Sequence, residues 1–193
     1  VPRHVHQVVL HLVEADQHPL FHLAERLDTQ QGGVAEAVNF NSPGQVVIAG
    51  DAVAIRRAID AAKARGAKRA VLLPVSVPSH SSLMQSAADR LAQQLASVKL
   101  AHPAIEFRSA VDGERYSDPA SLRELLGRQL VSPVRWAETV RGLIASGVTR
   151  ILECGPGKVL SGLNQRIVRG TVTTCGSLDS PDALLAALTT PTD

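Results

Sequence analysis

The sequence predicts an α/β fold, on three observations. Short β-branched runs closed by glycine or proline alternate with stretches whose apolar residues recur at the helical period of about 3.6. Capping residues (Asp51, Asp118-Pro119, Ser132-Pro133, Ser180-Pro181) stand where those helical stretches begin. The alternation of strand with helix implies a sheet with at least partly parallel pairing. At 193 residues the chain can build a real core, and with 45% hydrophobic but 3% aromatic residues that core is aliphatic.

Residues 1–33 stand apart from the rest of the chain. Five of the seven histidines lie between His4 and His22, and the segment ends in the polar run Asp28-Thr29-Gln30-Gln31-Gly32-Gly33. Val8, Leu12, Leu20, Leu23 and Leu27 form a rough helical stripe interrupted by Pro19. His18 and His22 have helical i, i+4 spacing and His4 and His6 alternate as on a strand. No cysteine and no HExxH pattern accompanies them, so no metal site is expected.

From Val34 the pattern is regular. Gln45 to Ala49 reads as a strand closed by Gly50. Asp51 then caps a helix with Ile55, Ala58, Ile59 and Ala62 on its apolar side and Gly66 at its end. Arg69 to Val75 is the next strand, making a βαβ-like unit. A helix through Leu83, Ala87, Ala88, Leu91, Leu95 and Val98 precedes a strand from Ile105 to Val111 and a turn at Asp112-Gly113. Asp118-Pro119 opens a helix with Leu122, Leu125, Leu126 and Leu130 inward. Ser132-Pro133 opens another through Val134, Ala137, Val140, Leu143 and Ile144, ended by Gly147. Thr149 to Glu153 is a strand, Gly155-Pro156-Gly157 a tight loop, Lys158 to Val168 a helix, and Ser180-Pro181 starts a final short helix.

The chemistry concentrates at His80. It follows the run Val71 to Ser79 and precedes Ser81-Ser82-Leu83-Met84, between the end of a strand and the start of a helix. The partial positive charge of a helix N-terminus disfavours imidazolium there, leaving a ring able to accept a proton as a general base. A histidine that only closes the turn fits the same pattern. Asn39, Asn41 and Gln45 gather side-chain amides around the Ser42-Pro43-Gly44 turn, suited to an amide-rich ligand arm or to the turn itself. Gly44 stands at nucleophile-elbow distance from Ser42, but Phe40 occupies the place of the first glycine, and no G-x-S-x-G occurs in the chain. Gly155-Pro156-Gly157-Lys158 is not a nucleotide loop, because Leu152 and Val159 replace the required glycine and Ser/Thr. Lys63, Arg65, Lys68 and Arg69 form a basic cluster, either a solvated helix end or a contact for phosphates or an acidic partner.

A net charge of +2 makes no general case for nucleic acid or an anionic membrane. No apolar run approaches the ~20 residues that cross a bilayer, and the N-terminus has no signal-peptide layout. Two cysteines, Cys154 and Cys175, suggest a reducing compartment, so a cytoplasmic location is expected.

Taken together, several stretches resemble the malonyl-CoA:acyl carrier protein transacylases of bacterial fatty-acid synthesis. They are Asn39 to Gly50 (NFNSPGQVVIAG), Gly66-Ala67-Lys68-Arg69, Pro74 to His80, Arg128-Gln129-Leu130 with Pro133-Val134-Arg135-Trp136, and Glu153 to Leu160, in order from about Val38 to Val168. The resemblance implies transfer of a malonyl group from coenzyme A to the thiol of acyl carrier protein, by ping-pong chemistry on a serine in a G-H-S-x-G elbow. It implies His80 as the base that activates the serine and then the carrier's thiol, and Gln129 as a residue holding the active site in place. Gln45, Lys68 and Arg69, with Asn41 beside them, match positions that contact coenzyme A or the carrier's phosphopantetheine arm. Malonyl-CoA is then substrate, with no resident cofactor and no metal.

The implied fold is α/β-hydrolase-like with a ferredoxin-like small subdomain. Residues 34–76 would be part of that small subdomain and residues 77–193 the C-terminal part of the large one, with 1–33 unmatched. The family's G-Q-G-S-Q loop, its G-H-S-x-G serine and its carboxylate-binding arginine have no counterpart in this sequence, and Arg108-Ser109 replaces an asparagine-rich pair. The chain is therefore expected to be a C-terminal part lacking the nucleophile and inactive alone. Two other readings stay open: a non-catalytic module binding acyl carrier protein or coenzyme A, and a hydrolase using Ser42.

Overall fold

The computed structural model describes residues 5–11, 32–75 and 77–189. The fold is mixed α/β and divides into two compact units, one ending at Thr139 and one beginning at Val140. The first contains a four-stranded sheet of order β2-β3-β1-β4, from β1 (Val5–His11), β2 (Ala35–Ser42), β3 (Gln45–Asp51) and β4 (Arg69–Leu72). β1 runs antiparallel to both β3 and β4, and β2 antiparallel to β3. Segment 1–33 therefore does not stand wholly apart: its strand Val5–His11 lies inside the sheet, where Val8 and Leu10 are buried. Of the helical stripe read from the sequence, Val8 belongs to this strand instead, and Leu12, Leu20, Leu23 and Leu27 lie outside the described residues, as do the His18/His22 pair and His4.

Helix α1 (Ala52–Ala64) crosses from β3 to β4. The expected βαβ unit forms, but its two parallel strands are separated by β1. Ile55, Ala58 and Ala62, spaced to share one helix face, pack on Val8, Leu10 and Ile48. The opposite face of the sheet gathers Val38, Val47 and Ala49 with Val9 and Leu73, as the period-two alternation of strands requires. Asp51 occupies the N-cap position without a side-chain cap bond; its carboxylate instead accepts from the Val34 amide at 2.8 Å. Gly50 makes this approach possible, since a Cβ there would lie 1.9 Å from the Val34 carbonyl oxygen.

A 3₁₀ turn (Ser82–Met84) leads into α2 (Gln85–Ala96), followed by α3 (Pro119–Arg128), whose N-cap Asp118 accepts from Ser121 N at 2.9 Å. Two expectations fail between and after these helices. Ile105 to Val111 forms no strand: only a bridge between Arg108 and Arg115 closes around the Asp112-Gly113 turn, and Ile105 is 82% exposed. Ser132-Pro133 does not open a helix either. Val134 is extended beside β2, donating to Val38 O at 2.9 Å and accepting from Phe40 N at 2.8 Å. Those two ladder bonds cover part of the edge of β2, and helix α4 (Trp136–Ala145) begins only after them.

The second unit pairs β5 (Arg150–Cys154) with β6 (Thr174–Leu178) in parallel, with α5 (Val159–Ile167) as the crossover. Strand β6 has no counterpart among the sequence expectations. Helix α6 (Pro181–Thr189) starts where Ser180-Pro181 predicts it, with the Ser180 hydroxyl accepting from Ala183 N at 3.1 Å. No helix among the described residues is long and apolar enough to cross a membrane.

Candidate active site

The segment after β4 is tied down before it reaches His80. Leu73 N donates to Gln7 O at 2.8 Å, and the buried Gln7 side chain donates from Nε2 to Val77 O at 3.0 Å. The fully buried Ser81 then closes a turn, its hydroxyl donating to Pro78 O at 2.6 Å and its amide to the same oxygen at 3.3 Å. His80 sits at the third position of that turn with φ +66°, and among the described residues no other non-glycine has positive φ. Left-handed backbone is costly for an L-residue, and such strain concentrates at functional sites.

His80 Nδ1 lies 2.8 Å from the backbone oxygen of Gln129. A carbonyl only accepts, so Nδ1 carries the proton. In the neutral ring Nε2 then keeps an unshared pair and can act as a base. The sequence points to Gln129 for this site, and the group it contributes to the histidine is its main-chain carbonyl. Gln129 is the C-cap of α3, and its amide bonds Leu125 O at 2.9 Å. Its own carbonyl lies past the last helical bond and is free to accept from His80.

What orients His80 is therefore the turn and Gln129, not the end of a helix. The helix proper begins five residues later, at Gln85. The Ser82 amide and hydroxyl are both taken by the Glu36 carboxylate, at 2.7 and 2.5 Å. Nothing in the sequence singles out Glu36 or Gln7, because each supports the loop from a distant strand.

The other candidates gather at one end of the sheet. Gln45 and Arg69 each pair with His11, in register across β3, β1 and β4, so the three side chains share a face. The Lys68 amide donates to His11 O at 2.8 Å, and Lys68 and Arg69 are both exposed. Asn41 is the penultimate residue of β2, on the other side of the turn that leads to Gln45. Among the described residues no hydrogen bond joins His80 or Gln129 to Asn41, Gln45, Lys68 or Arg69. An open groove of about 370 Å³ lies beside Arg128, Asp112 and Pro133 and is not lined by His80.

The hydrolase alternative loses its support, and the exclusion of a phosphate loop gains a structural reason. Ser42 is completely buried, so it cannot present a hydroxyl to a substrate. At Gly155-Pro156-Gly157-Lys158 the first-turn amides of α5 are occupied by the chain's own Glu153, which accepts from Ser161 N at 2.7 Å and Leu160 N at 3.1 Å. Those bonds, Ser161's foremost, hold the Glu153 carboxyl below its ordinary value, and a phosphate would have to displace it. Among the described residues no cluster of His, Cys, Asp or Glu could hold a metal ion.

Comparison with known proteins gives the family. The acyl transferase domain family matches residues 18–186, a span that begins inside the N-terminal stretch for which the sequence motifs offer no match. The malonyl CoA-acyl carrier protein transacylase of Salmonella typhimurium is 50% identical over 162 residues, covering 84% of this chain and 52% of that protein. The Bacillus subtilis protein of the same name is 40% identical over 162 residues, covering 84% of this chain and 50% of its own length. The chain thus spans about half the length of these relatives.

Among solved structures, a malonyl-transacylase in complex with a type II polyketide synthase acyl-carrier protein superimposes with a TM-score of 0.89 at 42% identity, over 97% of this chain and 59% of that one. The acyl-carrier-protein S-malonyltransferase of Burkholderia pseudomallei gives 0.90 at 41% identity, over 98% and 60%. With matches running through both compact units, this chain belongs to the acyl transferase domain family.

Proposed function

We propose that this chain is the part of a malonyl-CoA:acyl carrier protein transacylase that carries the general base and a surface for the pantetheine-bearing substrates. The observation that carries this reading is the hydrogen bond from His80 Nδ1 to Gln129 O, which leaves Nε2 as the basic nitrogen. A neutral carbonyl here does what the aspartate of a Ser-His-Asp triad does: it holds ring orientation and tautomer. Nε2 takes the proton of a serine hydroxyl supplied by the remainder of the domain as that oxygen attacks the malonyl thioester. The proton then goes to the departing coenzyme A sulfur. In the second half Nε2 takes the proton from the carrier's thiol, the sulfur attacks the malonyl-serine, and the serine oxygen leaves with the proton.

Asn41, Gln45, Lys68 and Arg69 are the proposed contacts for the coenzyme or the carrier's arm, with amides for the pantetheine and cations for its phosphate. Strand order β2-β3-β1-β4 with α1 between β3 and β4 supports reading residues 34–76 as part of a ferredoxin-like small subdomain. Residues 77–193 are then the C-terminal part of an α/β-hydrolase-like large subdomain.

The chain holds no G-x-S-x-G elbow. The purified polypeptide is therefore expected to bind coenzyme A and acidic carrier protein without transferring malonate. Malonyl transfer followed by mass spectrometry of the carrier checks the second point, and transfer abolished by His80→Ala would overturn it. Titration with coenzyme A checks the first: Gln45→Ala and Arg69→Ala should each weaken binding several-fold, and no binding by the unaltered chain would remove the proposal. The missing elbow also favours a non-catalytic binding module as the second reading. That reading predicts salt-sensitive carrier binding unchanged by His80→Ala, and it fails if adding a polypeptide with the serine elbow restores transfer.

A further inference from the structure

The carbonyl that holds His80 sits at a helix end, where backbone geometry is loosest. After the Gln129 amide bonds Leu125 O at 2.9 Å, the chain closes with longer bonds, from Leu130 N to Gly127 O at 3.4 Å and from Val131 N to Arg128 O at 3.1 Å. Terminal turns of this kind fray, so the direction of the Gln129 carbonyl depends on what fastens the residues beside it.

Arg128, its immediate neighbour, is fastened. Its Nη2 donates to Asp112 Oδ2 and, at 2.8 Å, to the Tyr116 oxygen. The Tyr116 hydroxyl in turn donates to Asp112 Oδ2 at 2.8 Å, closing a triangle in which every member bonds both others. Asp112 is itself held, its Oδ1 accepting from Glu114 N at 3.1 Å. The loop carrying it is pinned by Gly113 N to Ser109 O at 2.8 Å, Ser109 N to Glu114 O at 3.0 Å and Tyr116 N to Phe107 O at 3.1 Å. On the other side of Gln129, Arg135 N donates to Ala110 O of the same loop at 2.6 Å. The loop thus grips the chain both before and after the Gln129 carbonyl.

We infer that Asp112, Tyr116 and Arg128 are positioning residues that orient the Gln129 carbonyl and thereby keep the His80 ring protonated at Nδ1. The triangle is half-exposed, with side-chain exposures of 50% for Arg128 and 27% for Asp112. Exposed ion pairs contribute little to stability, so the effect of this one is read in orientation rather than in folding. Burial pushes the Asp112 carboxyl up, but the bonds from Tyr116, the Glu114 amide and Arg128 outweigh it and hold it below its ordinary value. The bond to Asp112 raises the Tyr116 hydroxyl. Near neutral pH both groups therefore stay in the forms the triangle needs.

The inference rests on His80 being the base, and its test is kept separate from turnover. The ring nitrogens of ¹⁵N-histidine-labelled protein report the tautomer directly, and a neutral imidazole in water favours Nε2–H. The unaltered chain is expected to hold His80 as Nδ1–H. Tyr116→Phe, Asp112→Ala and Arg128→Ala should each raise the Nε2–H population several-fold, because each removes two sides of the triangle. If Asp112→Ala does not fold, Tyr116→Phe decides alone, since it removes a single hydroxyl. Nδ1–H retained in all folded variants would overturn the brace and leave the assignment of the base intact. Nε2–H in the unaltered chain would overturn both.

Discussion

Replacing His80 by glycine and, separately, by alanine isolates the backbone strain at the proposed base. Both changes remove the imidazole and its bond to Gln129, so the comparison cancels that loss. What remains is the φ of +66°. At an ordinary position alanine is the more stabilising of the two by roughly 0.5–1 kcal/mol, because glycine loses more freedom on folding. In left-handed backbone the Cβ reverses that order, since the conformation costs an L-residue about 1–2 kcal/mol. At the midpoints of those ranges the net expectation is a His80→Gly chain more stable than His80→Ala by about 0.75 kcal/mol, a difference of roughly 1.5–3 °C in melting temperature for a chain of this size. Urea unfolding followed by circular dichroism, with a common slope for the two variants, measures it. A His80→Ala chain equal to or more stable than His80→Gly would refute the reasoning, and with it the view that the turn holds the histidine against its backbone preference.

Gly50→Ala should destabilise by about 3 kcal/mol or more, because the new Cβ would meet the Val34 carbonyl oxygen at 1.9 Å and part the bonds between Val34 and Asp51; a urea midpoint close to the unaltered chain's would contradict this. Ile55→Ala empties the centre of the α1–sheet core, where Ile55 is wholly buried, and should cost about 2–5 kcal/mol by the same assay. The Glu153 carboxyl is held below its ordinary value in the folded chain. Its contribution to the start of α5 is thus fully present above the usual carboxylate range and lost as pH falls through the lowered folded value. Protection factors at the Leu160 and Ser161 amides, taken relative to intrinsic exchange at each pH, should fall on acidification, and Glu153→Gln should remove most of that pH dependence; unchanged protection down to the acid limit would argue against the bond.

Several local sequence signals carry through to the structure. Asp118-Pro119 caps α3 and Ser180-Pro181 starts α6 because both devices act within one helical turn. The apolar stripe Ile55, Ala58, Ala62 marks a buried face for the same reason. Ser132-Pro133 has the same local signature, yet Val134 finds main-chain partners on β2, more than ninety residues back, and the distant ladder wins. Ile105 to Val111 looks strand-like but gains only a bridge to Arg115.

The candidate site divides in the same way. His80 and Gln129 stand out through the motifs around them. That the carbonyl of Gln129 and the left-handed turn do the holding could not be read from residue types, since backbone direction leaves no mark on composition. Glu36, Gln7 and the Asp112–Tyr116–Arg128 triangle depend on contacts between segments far apart in the chain.

The place of β1 in the sheet also sets an order of assembly. β4 pairs with nothing but β1 among the described strands, and β1 joins it to β3. Val8 lies 40 residues before Ile48 and 64 before Leu72, its partners on either side. A chain emerging from the ribosome therefore releases this strand early and must keep it from stray pairing while its neighbours are made. The β2–β3 hairpin, closed by Pro43-Gly44, can form on its own and offers the first edge to capture it. The proposed ligand-contact row of Gln45 and Arg69 would then come into being only with the last strand to dock, which makes ligand binding a late reporter of folding.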